Sequence, residues 1–198
     1  MENTIGNKLY NDVLKNHKRE LEEFDKQKRE IHRLWNIDAE TAKYLFEYIV
    51  DLAPKKIIEI GTSNGYSGFW ISAAAKVSNG ILETIEVDEE RFKLSQNNLK
   101  NQTNIIQYLG LAEDIIPTLE NKYDIAFIDA GKIGYINYIK LLLPKLKDNA
   151  IIIADNVISH KKSVQEYIDF MKSDNQFENE LIEIGTGLLI SKFKRNRV

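Results

Sequence analysis

Two stretches of the sequence place polar side chains directly after an apolar run. In YDIAFIDAGKIGY, the apolar residues 125–128 lead into Asp129, and Lys132 follows three positions later. In AIIIADNVISH, an isoleucine run leads into Asp155 and Asn156. Short apolar runs of this kind are typical of buried strands. An acid and a base follow one predicted strand, and oxygen-bearing side chains follow a second. This repetition indicates a functional site rather than two coincidences.

The composition of the chain excludes several classes of protein. With 198 residues, 43% of them hydrophobic and 29% charged, the chain is predicted to form one globular domain over residues 1–198. Its net charge of −3 gives no reason to expect nucleic-acid binding. The sequence has no cysteine, which excludes disulfides, thiolate zinc sites and cysteine nucleophiles. We expect a cytoplasmic protein with no membrane partner, because neither a signal-peptide pattern nor a membrane-length apolar run is present.

The N-terminal quarter of the sequence predicts helices. From Leu9 to about Arg33, apolar residues recur at helical spacing within a highly charged segment, which predicts one amphipathic helix. Asp38 is a suitable N-cap for a second helix from Ala39 to Leu52. Residues 1–52 are therefore predicted to form a helical cover over a core that spans residues 55–194.

The core sequence alternates strand and helix patterns. Five apolar runs indicate strands, in KKIIEIG, ILETIEV, IIQYLG, YDIAFID and AIIIADN, with helical patterns between them. ELIEIG and GLLISKF then flank Thr186 with a glycine on either side, which predicts a hairpin. This order predicts an α/β protein with a Rossmann-like, doubly wound, mostly parallel seven-stranded sheet that ends in an antiparallel hairpin. Such sheets bind ligands at the carboxyl ends of their strands, where both polar stretches lie.

The first strand of the core leads into a glycine-rich turn, EIGTSNGYSG. Gly61, Gly65 and Gly68 allow close approach of a ligand to the backbone, and the following helix start offers free N–H groups to an anion. The spacing lacks both the dinucleotide fingerprint and the P-loop pattern. Glu86, 25 residues after Gly61, ends the second strand, where an acid can accept hydrogen bonds from a ribose diol. The two features predict a nucleoside-containing cofactor and favour S-adenosylmethionine over NAD.

Five motifs in their order and spacing resemble one known family. EIGTSNGYS, TIEVDEER, FIDAGKIGY, IADNV and IGTGLLIS, spread over residues 37–194, are similar to the metal-dependent O-methyltransferases related to catechol and caffeoyl-coenzyme A O-methyltransferases. The small bacterial members are the most similar branch. The resemblance implies a class I methyltransferase fold, S-adenosylmethionine as cofactor, a small hydroxylated acceptor and a homodimer.

The resemblance also implies roles for individual residues. Those matching Asp129, Asp155 and Asn156 hold a divalent cation in the family, and the residue matching Lys132 is the catalytic base. The residue matching Glu86 binds the ribose, others line the methionine part, and two contact adenine. The full set expected to contact the cofactor is Glu59, Gly61, Thr62, Ser63, Gly65, Ser67, Glu86, Val87, Ala112, Glu113 and Asp129.

The chemistry of the implied cation site follows from its ligands. All three ligands present oxygen, which suits Mg²⁺ first and then Mn²⁺ or Ca²⁺. A cation of this kind lowers the pKa of a bound hydroxyl and holds the resulting oxyanion in place. A lysine that is partly desolvated beside a dication is less stable in its charged form, which would make Lys132 a better base than a free lysine.

Several acceptors and functions are compatible with these residues. We expect a vicinal dihydroxy compound such as a catechol or a similar phenolic. An alternative with the same chemistry is 5-hydroxyuridine at the wobble position of tRNA, which the acidic net charge mildly disfavours. A cofactor-binding module without catalysis is disfavoured by the intact set of Asp129, Lys132, Asp155 and Asn156. An NAD-linked oxidoreductase is disfavoured by the glycine spacing.

Four other positions near the predicted site are not assigned a definite role by the sequence. Bacterial relatives usually carry aspartate where this chain has Thr186, and many carry an insertion after the position of Asn156. Trp35 and Asn36 either line the acceptor mouth or, for Trp35, pack in the core. His160 is expected to be a surface histidine, because no serine or acid completes a triad around it.

Overall fold

A seven-stranded sheet forms the centre of the structure, a computed structural model that describes residues 4–31 and 34–195. Its strands are β1 (Lys56–Ile60), β2 (Ile81–Glu86), β3 (Ile105–Leu109), β4 (Tyr123–Ile128), β5 (Leu146–Ala154), β6 (Phe177–Ile182) and β7 (Leu188–Phe193). They lie in the order β3-β2-β1-β4-β5-β7-β6. Strands β1 to β5 are parallel, and β7 runs antiparallel to both β5 and β6. The predicted fold class is confirmed.

Helices pack on both faces of this sheet. They are α1 (Ile5–Asn16), α2 (Lys18–Glu30), α3 (Ala39–Leu52), α4 (Tyr66–Ala75), α5 (Glu89–Asn98), α6 (Ala112–Thr118), α7 (Tyr135–Leu142) and α8 (Gln165–Ser173). Asp38 caps α3 as predicted, since its carboxylate accepts a hydrogen bond from the Thr41 N–H at 2.7 Å. Across residues 4–31 and 34–195, no helix has both the length and the apolar character that crossing a membrane requires.

The single helix predicted from Leu9 to about Arg33 is wrong. Helices α1 and α2 are separate because His17 adopts φ −117° and ψ 29°, outside the helical region. The break lets each helix bury its own aromatic side chain: Tyr10 of α1 stacks on Trp70 with ring centroids 4.7 Å apart, and Phe24 of α2 packs against α4. The predicted end of the helix near Arg33 lies outside the described residues.

Two hydrophobic clusters cover the two faces of the sheet. Ala126 and Ile128 of β4 belong to the cluster formed with α6, α7 and α8, whereas Ile125 and Phe127 belong to the cluster formed with α1 to α4. This alternation is the period of two that a strand imposes on its side chains. Burial on both faces explains why the parallel strands are continuous apolar runs in the sequence.

The register of the parallel strands brings the polar residues to one edge. Ile60 of β1 pairs with Ile85 of β2 and with Ile128 of β4, and Ile128 pairs with Ala154 of β5. The residues that follow these pairs are Gly61, Glu86, Asp129 and Asp155. The carboxyl edge of the sheet therefore carries both the glycine turn and the two polar stretches.

A separate buried acid, Glu83, lies in the middle of β2. One of its carboxylate oxygens accepts hydrogen bonds from the hydroxyls of Tyr123 at 3.0 Å and Tyr108 at 3.3 Å. The other accepts a hydrogen bond from Asn121 and lies 3.7 Å from the Lys56 ammonium. Because Glu83 is fully buried, these partners replace the water that its charge has lost.

Glu83→Ala should lower the free energy of unfolding by about 3 kcal/mol, because it leaves the partly buried Lys56 ammonium and several buried polar groups without their partner. Chemical denaturation measured beside Glu90→Ala, an exposed position on α5, would isolate the effect of burial. A loss below about 1 kcal/mol, as for a surface ion pair, would contradict this role of Glu83.

Candidate functional site

A cavity of about 540 Å³ opens along the carboxyl edge of the sheet. Loops that follow β1 to β5 form its wall. The sequence-predicted residues that line it are Gly61, Ser63, Glu86, Val87, Ala112, Glu113, Asp129, Lys132 and Asn156. The remaining predicted residues, Glu59, Thr62, Gly65, Ser67 and Asp155, are buried behind that wall. A contact between these five and a ligand in the cavity stays a prediction.

The glycine turn after β1 approaches the end of β4 very closely. Gly61 has φ 98°, and a Cβ placed on it would lie 2.2 Å from the backbone oxygen of Asp129. Both the conformation and the space therefore require glycine. Ser63 also adopts the left-handed region, with φ 51°, and its N–H donates to the Glu86 carboxylate. The turn thus joins the ends of β1, β2 and β4 into one unit.

The carboxylate of Glu86 is fixed by the backbone around it. One oxygen accepts a hydrogen bond from the Ser63 N–H at 2.7 Å, and the other accepts from the N–H groups of Val87 at 3.0 Å and Asp88 at 2.9 Å. A carboxylate offers about four acceptor positions, so one position remains for a ligand hydroxyl. Glu86 lines the cavity with that carboxylate already oriented.

A second carboxylate, Glu59, supports the turn from behind. It is fully buried and accepts hydrogen bonds from the hydroxyls of Ser67 and Thr84, each at 2.6 Å. The Thr84 hydroxyl lies 2.5 Å from that of Thr62. The pKa of Glu59 is raised to about 7, chiefly by burial; the hydrogen bonds from Ser67 and Thr84 act to lower it, and the nearby charges of Asp129 and Glu86 act to raise it. Glu59 does not line the cavity; it supports the glycine turn from behind through its hydrogen bonds with Ser67 and Thr84.

Lys132 and Asp129 lie together at the opposite end of the cavity. The Lys132 ammonium donates to a carboxylate oxygen of Asp129 at 2.9 Å and to the Tyr135 hydroxyl at 3.1 Å. The Tyr135 hydroxyl in turn donates to the backbone oxygen of Asp155 at 3.2 Å. A short 3₁₀ turn, Lys132–Gly134, holds the lysine at this position. The acid and the base predicted at the end of β4 are in direct contact.

Asp155 is buried at the end of β5, next to Asn156. One carboxylate oxygen of Asp155 accepts hydrogen bonds from the Asn156 N–H at 2.7 Å and from the Thr186 hydroxyl at 2.5 Å. Burial raises the pKa of Asp155 to about 6, and the charge of Asp129 is the next largest cause. Thr186, the position that departs from the bacterial relatives, is thus a direct partner of Asp155.

The oxygen atoms at this end of the cavity are of the type that divalent cations such as Mg²⁺ prefer. Asp129 and Asp155 are close enough to repel one another, and both hydrogen bonds to Asp155 fall on a single oxygen. Asn156 adds a carboxamide in the cavity wall. Within residues 4–31 and 34–195, no three His, Asp or Glu side chains are grouped as a metal site. A cation here would depend on two carboxylates and one amide.

Two positions were predicted for Trp35, the mouth of the cavity and the core, and the structure has it at the mouth. Its side chain is 71% exposed, and the Arg91 guanidinium lies 5.2 Å from its ring centroid. Both side chains line the cavity. Arg91 was not predicted as a site residue. Its place in the first turn of α5, five residues after Glu86, was the available signal.

His160 also lines the cavity, although the sequence predicts only a surface histidine. The residue is exposed, as expected, but it lies four residues after Asn156, and its N–H donates to the Asn156 backbone oxygen at 2.9 Å. The Ser159 hydroxyl lies 2.9 Å from its Nδ1 atom. In the sequence, the spacing of four residues between Asn156 and His160 was the signal that His160 belongs to the same cavity wall as Asn156 and Lys132.

Comparison with known proteins gives a consistent family. A family model described as an O-methyltransferase matches residues 11–192. A catechol O-methyltransferase from Niastella koreensis is 37% identical over 119 residues, which cover 57% of this chain and 53% of the relative. A catechol O-methyltransferase from Mycobacterium tuberculosis is 29% identical over 126 residues, covering 62% of this chain and 57% of the relative. The matched region thus spans little more than half the length of these two relatives.

Solved structures share the fold. The O-methyltransferase TomG from Streptomyces achromogenes, determined in complex with S-adenosylmethionine, superposes with a TM-score of 0.77 at 23% sequence identity. The match covers 93% of this chain and 90% of the other. At this level of identity, the likeness establishes the fold alone.

Glu59→Gln should change how stability depends on pH. Because the pKa of Glu59 is about 7 in the folded chain and ordinarily 4.5, the folded state holds a proton that the unfolded state has lost between these values. The free energy of unfolding therefore falls as pH rises through this window. Glutamine cannot ionise, so the variant should gain stability relative to the original chain by roughly 3 kcal/mol at pH 8, and by almost none at pH 4.5.

Denaturant unfolding at a series of pH values would measure this difference. Glu120→Gln, at an exposed loop position, is the matched control, and the shifted group Asp155 is common to all three chains and cancels. An equal effect of Glu59→Gln at pH 4.5 and pH 8 would contradict the raised pKa of Glu59.

Proposed function

Because the chain belongs to the O-methyltransferase family, we propose that it transfers a methyl group from S-adenosylmethionine to a hydroxyl of a small catechol-like acceptor. The names of the two catechol O-methyltransferase relatives support the acceptor class. The complex of TomG with S-adenosylmethionine supports the cofactor. None of these names supports the alternative tRNA acceptor. The homodimer and the cytoplasmic location stay predictions.

This proposal rests on one observation: the two ends of a single cavity carry different functional groups. At one end, Glu86 presents an oriented carboxylate of the kind that accepts hydrogen bonds from a ribose. At the other end, Asp129, Lys132 and Asn156 bring together an acid, a base and an amide. A cofactor bound along the cavity would place its reactive group toward the acid and base.

The cofactor end would be recognised mainly through backbone geometry. Gly61 and Ser63 bring the turn close to the ligand, which suits the methionine part of S-adenosylmethionine. Ala112 and Glu113, at the start of α6, lie in the wall where adenine is expected. Glu86 would bind a ribose hydroxyl through the one acceptor position that its three backbone hydrogen bonds leave.

The acceptor end would hold a divalent cation, Mg²⁺ first and Mn²⁺ or Ca²⁺ as alternatives, through Asp129, Asp155 and Asn156. Such an ion supplies charge that lowers the pKa of an acceptor hydroxyl. The free oxygen of Asp155 and the repulsion between Asp129 and Asp155 support this assignment. Thr186 and the Asn156 N–H fix the orientation of the Asp155 carboxylate from the other side.

Lys132 would take the proton from the acceptor hydroxyl. In the structure its amine is shared between Asp129 and the Tyr135 hydroxyl, which hold it at the cavity wall. Because Asp129 would also be a ligand of the cation, the Lys132 amine would be less strongly held by that carboxylate and would be directed to the acceptor hydroxyl. Trp35 at the mouth and His160 beside Asn156 would contact the acceptor ring and its substituents.

Methyl transfer should require a divalent cation. The experiment uses labelled S-adenosylmethionine, a panel of catechols and matched monohydroxy phenols, and bulk tRNA, each assayed with EDTA and with Mg²⁺. We expect transfer to the catechols only, abolished by EDTA and restored by excess Mg²⁺. Full turnover after exhaustive chelation would contradict the cation. Transfer to tRNA without transfer to any phenolic would contradict the acceptor class.

Lys132→Ala should lower kcat by a factor of about 10²–10⁴, the usual contribution of a general base, with little change in cofactor affinity. Lys132→Arg should not restore activity, because a guanidinium stays protonated. Lys172→Ala, an exposed lysine on α8, serves as the control in the same steady-state assay. Near-normal kcat in the arginine variant would mean that the residue acts only as a fixed positive charge.

A further inference from the structure

Helix α2 is strongly polar, and the surface that it buries includes a glutamine side chain. Of its 13 residues, the ones that are buried are Phe24 and Gln27. Phe24 packs edge-on against Tyr66 and Phe69, with ring centroids 5.4 and 5.9 Å apart, at the start of α4. Gln27 is only 6% exposed and points its carboxamide at the same region. The contact of α2 with the core is therefore concentrated behind the glycine turn.

The carboxamide of Gln27 forms a network with two asparagines. Its oxygen accepts hydrogen bonds from the side-chain amides of Asn64 at 3.2 Å and Asn98 at 2.8 Å. Its amide donates to the side-chain oxygen of Asn98 at 3.0 Å and to Glu23 at 3.2 Å. The Asn98 amide also donates to the backbone oxygen of Asn64 at 2.9 Å. Gln27 of α2 and Asn98 of α5 thus bind Asn64 by both its side chain and its backbone.

Asn64 belongs to the turn that forms the cavity wall. The Gly65 N–H donates to the Thr62 oxygen at 2.9 Å, so Ser63 and Asn64 are the two central residues of a tight turn. Ser63 faces the cavity and donates its N–H to Glu86, whereas Asn64 is fully buried on the opposite side. The turn is therefore held on its cavity side by Glu86 and on the opposite side by Gln27 and Asn98.

The close approach of α5 strengthens the outer contact. A Cβ on Gly65 would lie 2.7 Å from Leu99 Cδ1 and 3.3 Å from Ser95 Cβ, so glycine lets α5 press directly on the turn. Gly65 also has φ 90°, which other residues adopt at a cost. Ser63, with its own positive φ, is a strained residue in a turn that several contacts must hold together.

We propose that Gln27 is a positioning residue for cofactor binding, and that the docking of α2 and the binding of S-adenosylmethionine are thermodynamically linked through the Gln27–Asn64–Asn98 network. The network favours the turn conformation in which Ser63 donates to Glu86 and the cavity accepts the adenosine part. Loss of Gln27 frees the outer side of the turn, and the cofactor must then supply the ordering that α2 normally provides. Linkage is reciprocal, so a bound cofactor should also strengthen the docking of α2.

The inference rests on the proposed function, because it assumes a cofactor that contains adenosine. Its first test is the dissociation constant of S-adenosylhomocysteine, measured by calorimetry for the original chain, Gln27→Leu and Asn98→Ala. Each variant should bind at least about fivefold more weakly, the lower range of typical coupling. The double variant should lose less than the product of the two single effects, because both substitutions break one network.

The second test separates positioning from a general loss of stability. Glu23→Ala, which removes only the solvent-side partner of Gln27, and Glu83→Ala, which destabilises the sheet away from the cavity, should both keep the original dissociation constant. Gln27→Glu turns the amide donor into a charged oxygen that faces the side-chain oxygens of Asn98 and Glu23, so its affinity should be no higher than that of Gln27→Leu. With S-adenosylmethionine saturating, kcat of Gln27→Leu should stay within about twofold of the original, because Lys132 and Asp129 are untouched.

The third test measures the reciprocal effect by hydrogen exchange. S-Adenosylhomocysteine should slow the exchange of α2 amides in the original chain, and this protection should shrink in Gln27→Leu. If the original chain binds the ligand and Gln27→Leu binds it equally well, the inference is overturned and the proposed function stands. If Glu83→Ala weakens binding as much as Gln27→Leu does, the effect is one of stability and the positioning role is wrong. Failure of the original chain to bind the ligand would overturn the proposed function as well.

Discussion

The contact between Gly61 and the backbone of Asp129 is the constraint on which the rest of the site depends. No Cβ fits between them, and the Asp129 N–H donates to the Ile60 oxygen at 3.0 Å in continuation of the β1–β4 ladder. The turn that would bind the cofactor and the residue that begins the acid–base end are therefore neighbours through their main chains. Any side chain at position 61 would push these two halves apart, whatever its chemistry.

The same edge of the sheet concentrates negative charge. Four carboxylates, those of Glu59, Glu86, Asp129 and Asp155, lie at or next to the ends of adjacent strands, and the charge of Asp129 contributes to the raised pKa of both Glu59 and Asp155. Lys132 offsets part of this charge, because it forms an ion pair with Asp129 and its charge lowers the pKa of Asp155. An edge of this kind gains most from a cationic ligand, because positive charge relieves repulsion that the fold has already imposed. Both a divalent cation and a sulfonium cofactor meet that requirement.

The sequence is informative where local pattern determines structure. Continuous apolar runs locate the parallel strands because both faces of the sheet are covered, and the polar residues after them locate the site because parallel strands end at one edge. The break at His17 is not visible in this way, since it depends on where Tyr10 and Phe24 find partners on other helices. Gln27 is equally hidden: its partner Asn98 lies 71 residues away, and a glutamine on a charged helix is ordinarily exposed.

The positions of the reacting groups follow from strand register more than from loop conformation. Gly61 donates its N–H to the Ile85 oxygen of β2, and Asp155 donates its N–H to the Ile128 oxygen of β4. Together with the bond from Asp129 to Ile60, these bonds link the ends of four strands by main-chain atoms, so the spacing between the backbones of Glu86 and Asp129 is set by the separation of the strands. Methyl transfer requires donor and acceptor to be aligned within a fraction of an ångström. A sheet edge supplies such alignment before any ligand arrives, and under the proposed function the exposed side chain of Trp35 at the mouth would contribute to acceptor selection.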